Sequence, residues 1–358
     1  NYDSKFLKRK LEMLGYEVIE CDHGKPFEFE GGGSITIYAA DNCDPALCSK
    51  FLGCAIVEKK FGSTQIDTLA LFQHDGHSVI NTNDCPFELS EATIKSNGLD
   101  KTGVDLLLVG YGGAGPYPQC FEFDTVDEKL EAARAKEQQL LEQAIKYIEL
   151  LKPKAFAPFA GTYILGSRLA PLTEFRGVPS LQKALDYLNG KLDGLSVGLL
   201  LEQFDVYDVV KKELRKNEQR FDQSYADYVA EISKFKLAYD DDSWDDLEIP
   251  ELIEAAYKRF KSKAEEIGFS SKTRIAVQSD KVAYVLSTQS EPIQLSVGEE
   301  MDEPFVRISV DHNLLHRLLR GPRYAHWNNA EIGSHLRYER RPNVYERGLY
   351  YCMCFLHR

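Results

Sequence analysis

Two hydrophobic periods alternate along this chain. Helical spacing marks Asn1–Gly15, where Phe6, Leu7, Leu11 and Leu14 share a side, and Asp127–Leu151, where Ala133, Leu140, Leu141, Ala144, Ile148 and Leu151 form a stripe. Between them lie short β-rich runs at Glu17–Glu20, Phe27–Glu30 and Ser34–Tyr38. Ile66–Asp84 holds two more runs around Asp75–Gly76. Asp-Gly supplies the positive-φ residues of a tight hairpin turn, so a hairpin is predicted whose second strand ends on Asn83–Asp84. Val104–Pro118 (VDLLLVGYGGAGPYP) reads as an apolar strand running into a Gly-rich loop. Lys152–Gly166 (KPKAFAPFAGTYILG) reads as a short strand followed by a small-residue turn. Strands alternating with helices predict α/β layers.

The pattern changes near residue 200. Residues 202–269 are charged, rich in Tyr and mostly helical in period, with an acidic turn at Asp240–Asp246 (DDDSWDD). A solvated helical insertion is expected there, with a lid or partner surface as the sharper alternative. From Thr273 the runs TRIAVQS, KVAYVLST, PIQLSV and FVRISV return to strand character, and Gly321 and Gly333 then punctuate two further segments. Three domains are therefore expected: an α/β unit over 1–200, an acidic helical insertion over 201–269, and a small α+β unit over 270–358. The apolar faces of the last unit, with the run Leu349–Leu356, need cover, which predicts a homo-oligomer.

Composition narrows the class. At 43% hydrophobic and 28% charged residues the chain is ordinary for a globular protein. A net charge of −13 argues against nucleic acid or an anionic membrane as partner. No apolar run is long enough to span a bilayer, and no signal peptide is visible. The 8 cysteines are scattered through a large acidic chain, which predicts reduced thiols and a cytoplasmic location. Cys43, Cys48 and Cys54 contain no CxxC pair, which weighs against a structural zinc.

The order of elements carries a resemblance. A hairpin ending in Asn81-x-Asn83-Asp84, a strand with Gly112-Gly113-Ala114, a long amphipathic helix and then Pro158-Phe159-Ala160-Gly161 resemble the second part of a metallo-β-lactamase αββα sandwich. The likeness is to the CMP-N-acetylneuraminate hydroxylase-like branch of that superfamily, over roughly residues 1–170. The C-terminal segment is similar to a sterol-carrier-protein-like domain, which implies an apolar cavity or a dimer face. The superfamily implies a divalent metal (Zn, Fe or Mn) whose bound water becomes hydroxide near neutral pH. Asp84 matches its bridging aspartate. Asp41 and Asp44 stand where a histidine is usual, and carboxylates there favour iron or manganese over zinc. Phe159 replaces the fifth-motif histidine, which departs from two-zinc hydrolases and is similar to the sialate hydroxylases. The HxHxDH motif is absent from this sequence. Either it lies upstream of Asn1, as the abrupt start on Asn implies, or the protein lacks it.

Other residues carry weaker expectations. Gly112 and Gly113 lie in a loop whose backbone N–H groups suit an anionic ligand; the alternative is a tightly packed strand-end loop. His326, Trp327 and Asn328 form a polar-aromatic cluster that suits a pocket wall or a plain turn. His312 and His316 have the i, i+4 spacing of metal ligands, but no third ligand is evident beside them, so core or surface use is the expectation. His74 and His77 flank the hairpin turn as cross-strand neighbours. Cys21-Asp22-His23 and Cys354-Phe355-Leu356-His357 match Rieske pairs by letter but stand at opposite ends of the chain, and are read as coincidence. The leading expectation is a metal-dependent hydrolase of a polar, anionic small molecule. The alternatives are an oxygenase component similar to the sialate hydroxylases, and a metal-free binding or scaffolding protein that kept the fold.

Overall fold

The computed structural model describes residues 5–40, 67–218 and 224–358. Asp41, Asp44 and the cysteines at 43, 48 and 54 lie outside the described residues. The first part contains α1 (Lys5–Met13), β1 (Pro26–Glu28), β2 (Ser34–Ala39), β3 (Thr68–His74), β4 (His77–Asn81), α2 (Phe87–Ser96), β5 (Leu106–Gly110), α3 (Val126–Leu151), β6 (Ala155–Phe159), α4 (Leu181–Leu192) and β7 (Val197–Gly198). The seven strands form one sheet in chain order. β1 to β4 run antiparallel, and β4 to β7 run parallel.

Local chemistry explains these elements. Asp75 and Gly76 take φ values of 48° and 78°, and His74 pairs with His77 across the turn. Thr125 caps α3 by accepting from the Glu128 N–H at 3.2 Å, the start of a Thr-x-x-Glu capping pattern. The helix stops at Lys152, which turns left-handed before Pro153. Glu17–Glu20 forms no strand. Only Val18 in that run is even half-buried, so it has no apolar face to pair and cover.

Strand alternation sorts the first sheet into two faces. Leu69, Leu71, Ile80, Leu107, Val109 and Phe156 point into one core. α2, α3 and α4 all cover that face through residues such as Ile94, Ile148 and Leu188. Leu106, Ala155 and Ala157 point to the other face, under Leu199 and Tyr207. Because β4, β5 and β6 are parallel, Asn81, Gly110 and Phe159 end on a single edge of the sheet.

The second part contains the small pair β8 (Val206–Asp208) and β9 (Glu213–Arg215), then α5 (Tyr225–Ile232) and α6 (Ile249–Glu266). There follow β10 (Arg274–Gln278), β11 (Ala283–Leu286), β12 (Ile293–Leu295), β13 (Phe305–Val310), α7 (His312–Arg320), α8 (Trp327–Ile332), β14 (Leu336–Arg341) and α9 (Arg347–Met353). Five strands form a mixed sheet in the order β12-β11-β10-β13-β14, with β10 and β13 parallel. The molecule is thus a mixed α/β protein with two main sheets and separate apolar cores.

Two expectations change here. α6 is not solvated: Ile249, Ile253, Ala256, Tyr257 and Phe260 are buried in the same core as β10 and β13. Their three- and four-residue spacing was present in the sequence, beneath the charges between them. Leu349–Leu356, expected to need outside cover, is α9 and its closing turn. Leu349, Cys352 and Leu356 are buried in that core, so this run offers no free face to a second subunit. Of the two grooves beside β14, one of about 160 Å³ is lined by Glu339, Arg340 and Arg341 among others, and one of about 150 Å³ sets Pro304, Phe305, Val306 and Val344 beside Arg340 and Glu346; both open to solvent.

The two parts are stitched together beyond the Gly-rich loop. Glu122 N–H donates to Tyr338 O, and Tyr338 N–H donates to Cys120 O, both at 2.8 Å. Phe121 stacks on Tyr338 with ring centroids 4.8 Å apart. No described helix is long and apolar enough to cross a membrane.

Candidate functional site at the strand ends

The C-terminal ends of parallel strands are where open α/β sheets expose loops to ligands. Here three loops meet. Thr82, just past β4, donates its N–H to Leu108 O at 3.0 Å, and its hydroxyl accepts from Gly110 N–H at 3.0 Å. Gly110 pairs with Phe159. Gly112 lies against Gly161 so closely that a Cβ there would be 2.7 Å from Gly161 Cα. A Cβ on Gly161 would in turn run into the Tyr111 ring. The Tyr111 hydroxyl meets Thr162 Oγ1 at 2.7 Å, which fixes that ring.

Several expected site residues share this edge. Asp84 lies three residues past the end of β4, in the turn, and is exposed. Gly112 and Gly113 lie in the loop after β5, and Phe159 ends β6 at 39% exposure. His326, Trp327 and Asn328 belong instead to the second part. His326 Nδ1 accepts from Asn328 N–H at 3.2 Å and caps α8. Trp327 is buried, and its indole N–H donates to Leu356 O at 2.7 Å, which makes it a core residue.

The loops overlie two cations that sequence reading missed. Arg176, 7% exposed, follows the 3-10 segment Ser167–Phe175. Its Nε donates to Thr173 O at 2.9 Å, while Nη1 is buried with no partner. Its guanidinium lies 5.1 Å from the centre of the Tyr163 ring. Lys136, on α3, donates from Nζ to Tyr117 O at 2.9 Å. Gly177 lets the chain pass Lys136: a Cβ there would be 3.0 Å from Lys136 Cβ, and its φ of +63° also favours glycine. Gln119, fully buried, ties the arrangement together by donating to Gly115 O and reaching Tyr163 OH and Ser334 Oγ at 3.4 and 3.1 Å.

The electrostatics point one way. Burial pushes Lys136 down to about 8; Cys120 opposes the shift and the Arg176 charge adds to it. Burial likewise raises Tyr163, partly offset by Arg176. Among the described residues no carboxylate pairs with Lys136 or Arg176. Two like charges held together away from water are costly unless a counter-charge arrives. The arrangement suits a phosphate or carboxylate, which accepts from guanidinium, ammonium and loop N–H groups together. One sequence signal was available. Lys136 falls between Ala133 and Leu140 on the apolar stripe of α3, where a cation has no packing reason to be.

The strand ends do not assemble a metal site from the described residues. Among these, the one group of three convergent ligands is Asp246, His312 and His316, in the second part. Asp84 belongs to no such group among the described residues.

No protein-family profile matches the chain. Over 102 residues it is 30% identical to the cytidine monophosphate-N-acetylneuraminic acid hydroxylase of Danio rerio, a stretch covering 28% of this chain and 16% of that protein. It is 29% identical over 102 residues to the enzyme of the same name from Asterias rubens, covering 28% of this chain and 14% of that one. The match thus spans less than a fifth of either relative. Among solved structures, CmlA, a diiron beta-hydroxylase from Streptomyces venezuelae, is similar at a TM-score of 0.33 and 15% identity, over 54% of this chain and 35% of that one. Both sequence relatives are hydroxylases, which places the oxygenase alternative above the hydrolase expectation. Nothing in these comparisons supports the sterol-carrier likeness of the C-terminal segment.

Proposed function

We propose that this chain is part of a hydroxylase-type enzyme and binds an anionic small molecule at the loops following β4, β5 and β6. The observation that carries the reading is the pair of buried Arg176 and half-buried Lys136 beside the Gly-rich loop, with no carboxylate paired to either among the described residues. The named substrate of the sequence relatives, a nucleotide-linked sugar acid, carries both a phosphate and a carboxylate, and either meets that pair. In this reading the first sheet with its three helices on one face is one half of an αββα sandwich. Asp84 would serve a metal at the same edge, Asp41 and Asp44 are the further carboxylates this reading draws on from the sequence, and Phe159 would border the bound molecule. The role assigned to this chain's described residues is recognition: Arg176 and Lys136 neutralise the anion, and Gly112 and Gly113 let it approach the backbone.

Calorimetric titration with cytidine monophosphate-N-acetylneuraminic acid tests this. Arg176→Met and Lys136→Met are each expected to weaken binding at least about tenfold, since a charge-assisted hydrogen bond contributes roughly 1.5–3 kcal/mol. Lys136 is charged below about pH 8, so native affinity falls as pH rises through that value. Lys136→Met removes that dependence and Arg176→Met keeps it. Equal affinity in all three proteins overturns the assignment.

A further inference from the structure

The acidic run Asp240–Asp246 is bound to α7 rather than free in water. Arg317 donates from Nη2 to Asp242 Oδ1 at 2.8 Å and to Ala238 O at 2.7 Å. Asn313 Nδ2 donates to Tyr239 O at 3.0 Å, and Arg320 pairs with Glu248. This brings Asp246 over the two histidines of α7. His312 Nε2 lies 2.7 Å and His316 Nε2 3.5 Å from the same Asp246 Oδ1. The imidazole rings are 5.0 Å apart and nearly perpendicular.

The surroundings resemble a ligand sphere. His312 Nδ1 is 2.9 Å from Ser279 Oγ, which is itself held by the N–H groups of Lys281 and Val282. That contact orients the ring and leaves Nε2 to face Asp246, as outer-shell partners of metal-bound histidines do. Lys281 occupies Asp246 Oδ2 at 3.0 Å and leaves Oδ1 toward the histidines. His316 is fully buried, and neither ring nitrogen has a hydrogen-bond partner. The Trp244 ring stacks 5.8 Å from it at 13°, and the Arg320 guanidinium lies 4.5 Å from the Trp244 ring. Without an ion, the His312–Asp246 bond is made, while the buried Nε2 of His316 has only a long 3.5 Å approach to the same carboxylate oxygen.

We propose that Asp246, His312 and His316 bind one divalent transition-metal cation, which clamps the acidic segment to α7. Two imidazoles and one carboxylate suit zinc or iron rather than calcium or magnesium. One coordination position remains for water on the exposed side of Asp246. The clamp joins a turn segment to a helix buried in the second core, so the ion stabilises that part of the fold. The site shares no residue with the strand-end pocket, so either proposal can fail while the other stands.

Metal-stripped full-length protein is titrated with Zn²⁺ and with Co²⁺. Expected are about one bound ion by calorimetry, visible Co²⁺ absorption bands, quenching of Trp244 emission by Co²⁺, and a thermal midpoint raised by Zn²⁺. Asp246→Asn keeps the shape of an exposed side chain, and His316→Phe keeps the stack on Trp244. Each is expected to weaken binding at least about tenfold and to lose the thermal response. Trp244→Phe keeps the ion and loses the quench. The proposal is overturned if the native protein binds Zn²⁺ no more tightly than about 1 mM, or if Asp246→Asn and His316→Phe bind it like the native protein.

Discussion

Replacing Glu331 with glutamine stabilises the protein by several kcal/mol above about pH 8 and has little effect near pH 5. Glu331 lies on α8 with 4% exposure, and its Oε1 is buried with no partner. Burial pushes its carboxyl from 4.5 up to about 8, and the Tyr338 hydroxyl offsets only part of that rise. The direction follows from the proton count. Between about 4.5 and about 8 the folded chain keeps the proton and the unfolded chain sheds it. Rising pH therefore favours unfolding through that window, by about 1.4 kcal/mol per pH unit, and the loss levels off above it. The full window amounts to roughly 5 kcal/mol as an upper figure, because a real interior relaxes around a charge. Glutamine has nearly the same shape and no charge, so the difference between the two proteins grows with pH. Urea unfolding of both at about pH 5 and about pH 8.5 measures it. Parallel pH curves would show that Glu331 does not enter the fold as a neutral acid.

The fold was legible where signals were local. Asp75–Gly76 announced the hairpin, and Gly321 announced the end of α7. Each depends on a few neighbouring residues whose backbone chemistry leaves little choice. α6 was misread because its buried stripe is interleaved with Glu and Lys, so average polarity hid the period. Leu349–Leu356 was read as a face needing a second subunit because an apolar run does not itself show which core covers it, and here the chain's own second core does.

The candidate sites divide in the same way. Asp84, Gly112, Gly113 and Phe159 could be placed on one edge because parallel strands send their ends together, whatever the spacing in sequence. Arg176 could not, since only packing of the 3-10 segment on α3 brings it beside Lys136. Asp246 is 66 residues from His312, and the pair gains its third ligand only once the acidic run docks on α7. His312 and His316 were recognised as a ligand-like pair. Reading DDDSWDD as solvent-facing removed the residue that completes them.

The loop contact at the strand ends sets the remaining large effect. Gly112→Ala is expected to cost about 1–3 kcal/mol of stability or more, and to weaken anion binding at least about tenfold. The added Cβ meets the carbonyl oxygen, Cα and carbonyl carbon of Gly161. These are backbone atoms, so no side chain can swing aside and the two loops must separate. Separation also moves Thr162 and Tyr163 away from Tyr111 and Gln119, which hold the floor above Arg176. Gly113→Ala is the control. A Cβ at Gly113 meets only Leu140 Cδ2, at the ordinary distance of 3.9 Å. That variant should stay within about 0.5 kcal/mol of the native protein and fold in the same way. Denaturation and titration of the pair separate two causes. If Gly112→Ala loses stability and binding together while Gly113→Ala keeps its stability, the closed contact between the β5 and β6 loops shapes the pocket. If Gly112→Ala is as stable as the native protein, the loops do not touch there and the pocket is not built as described.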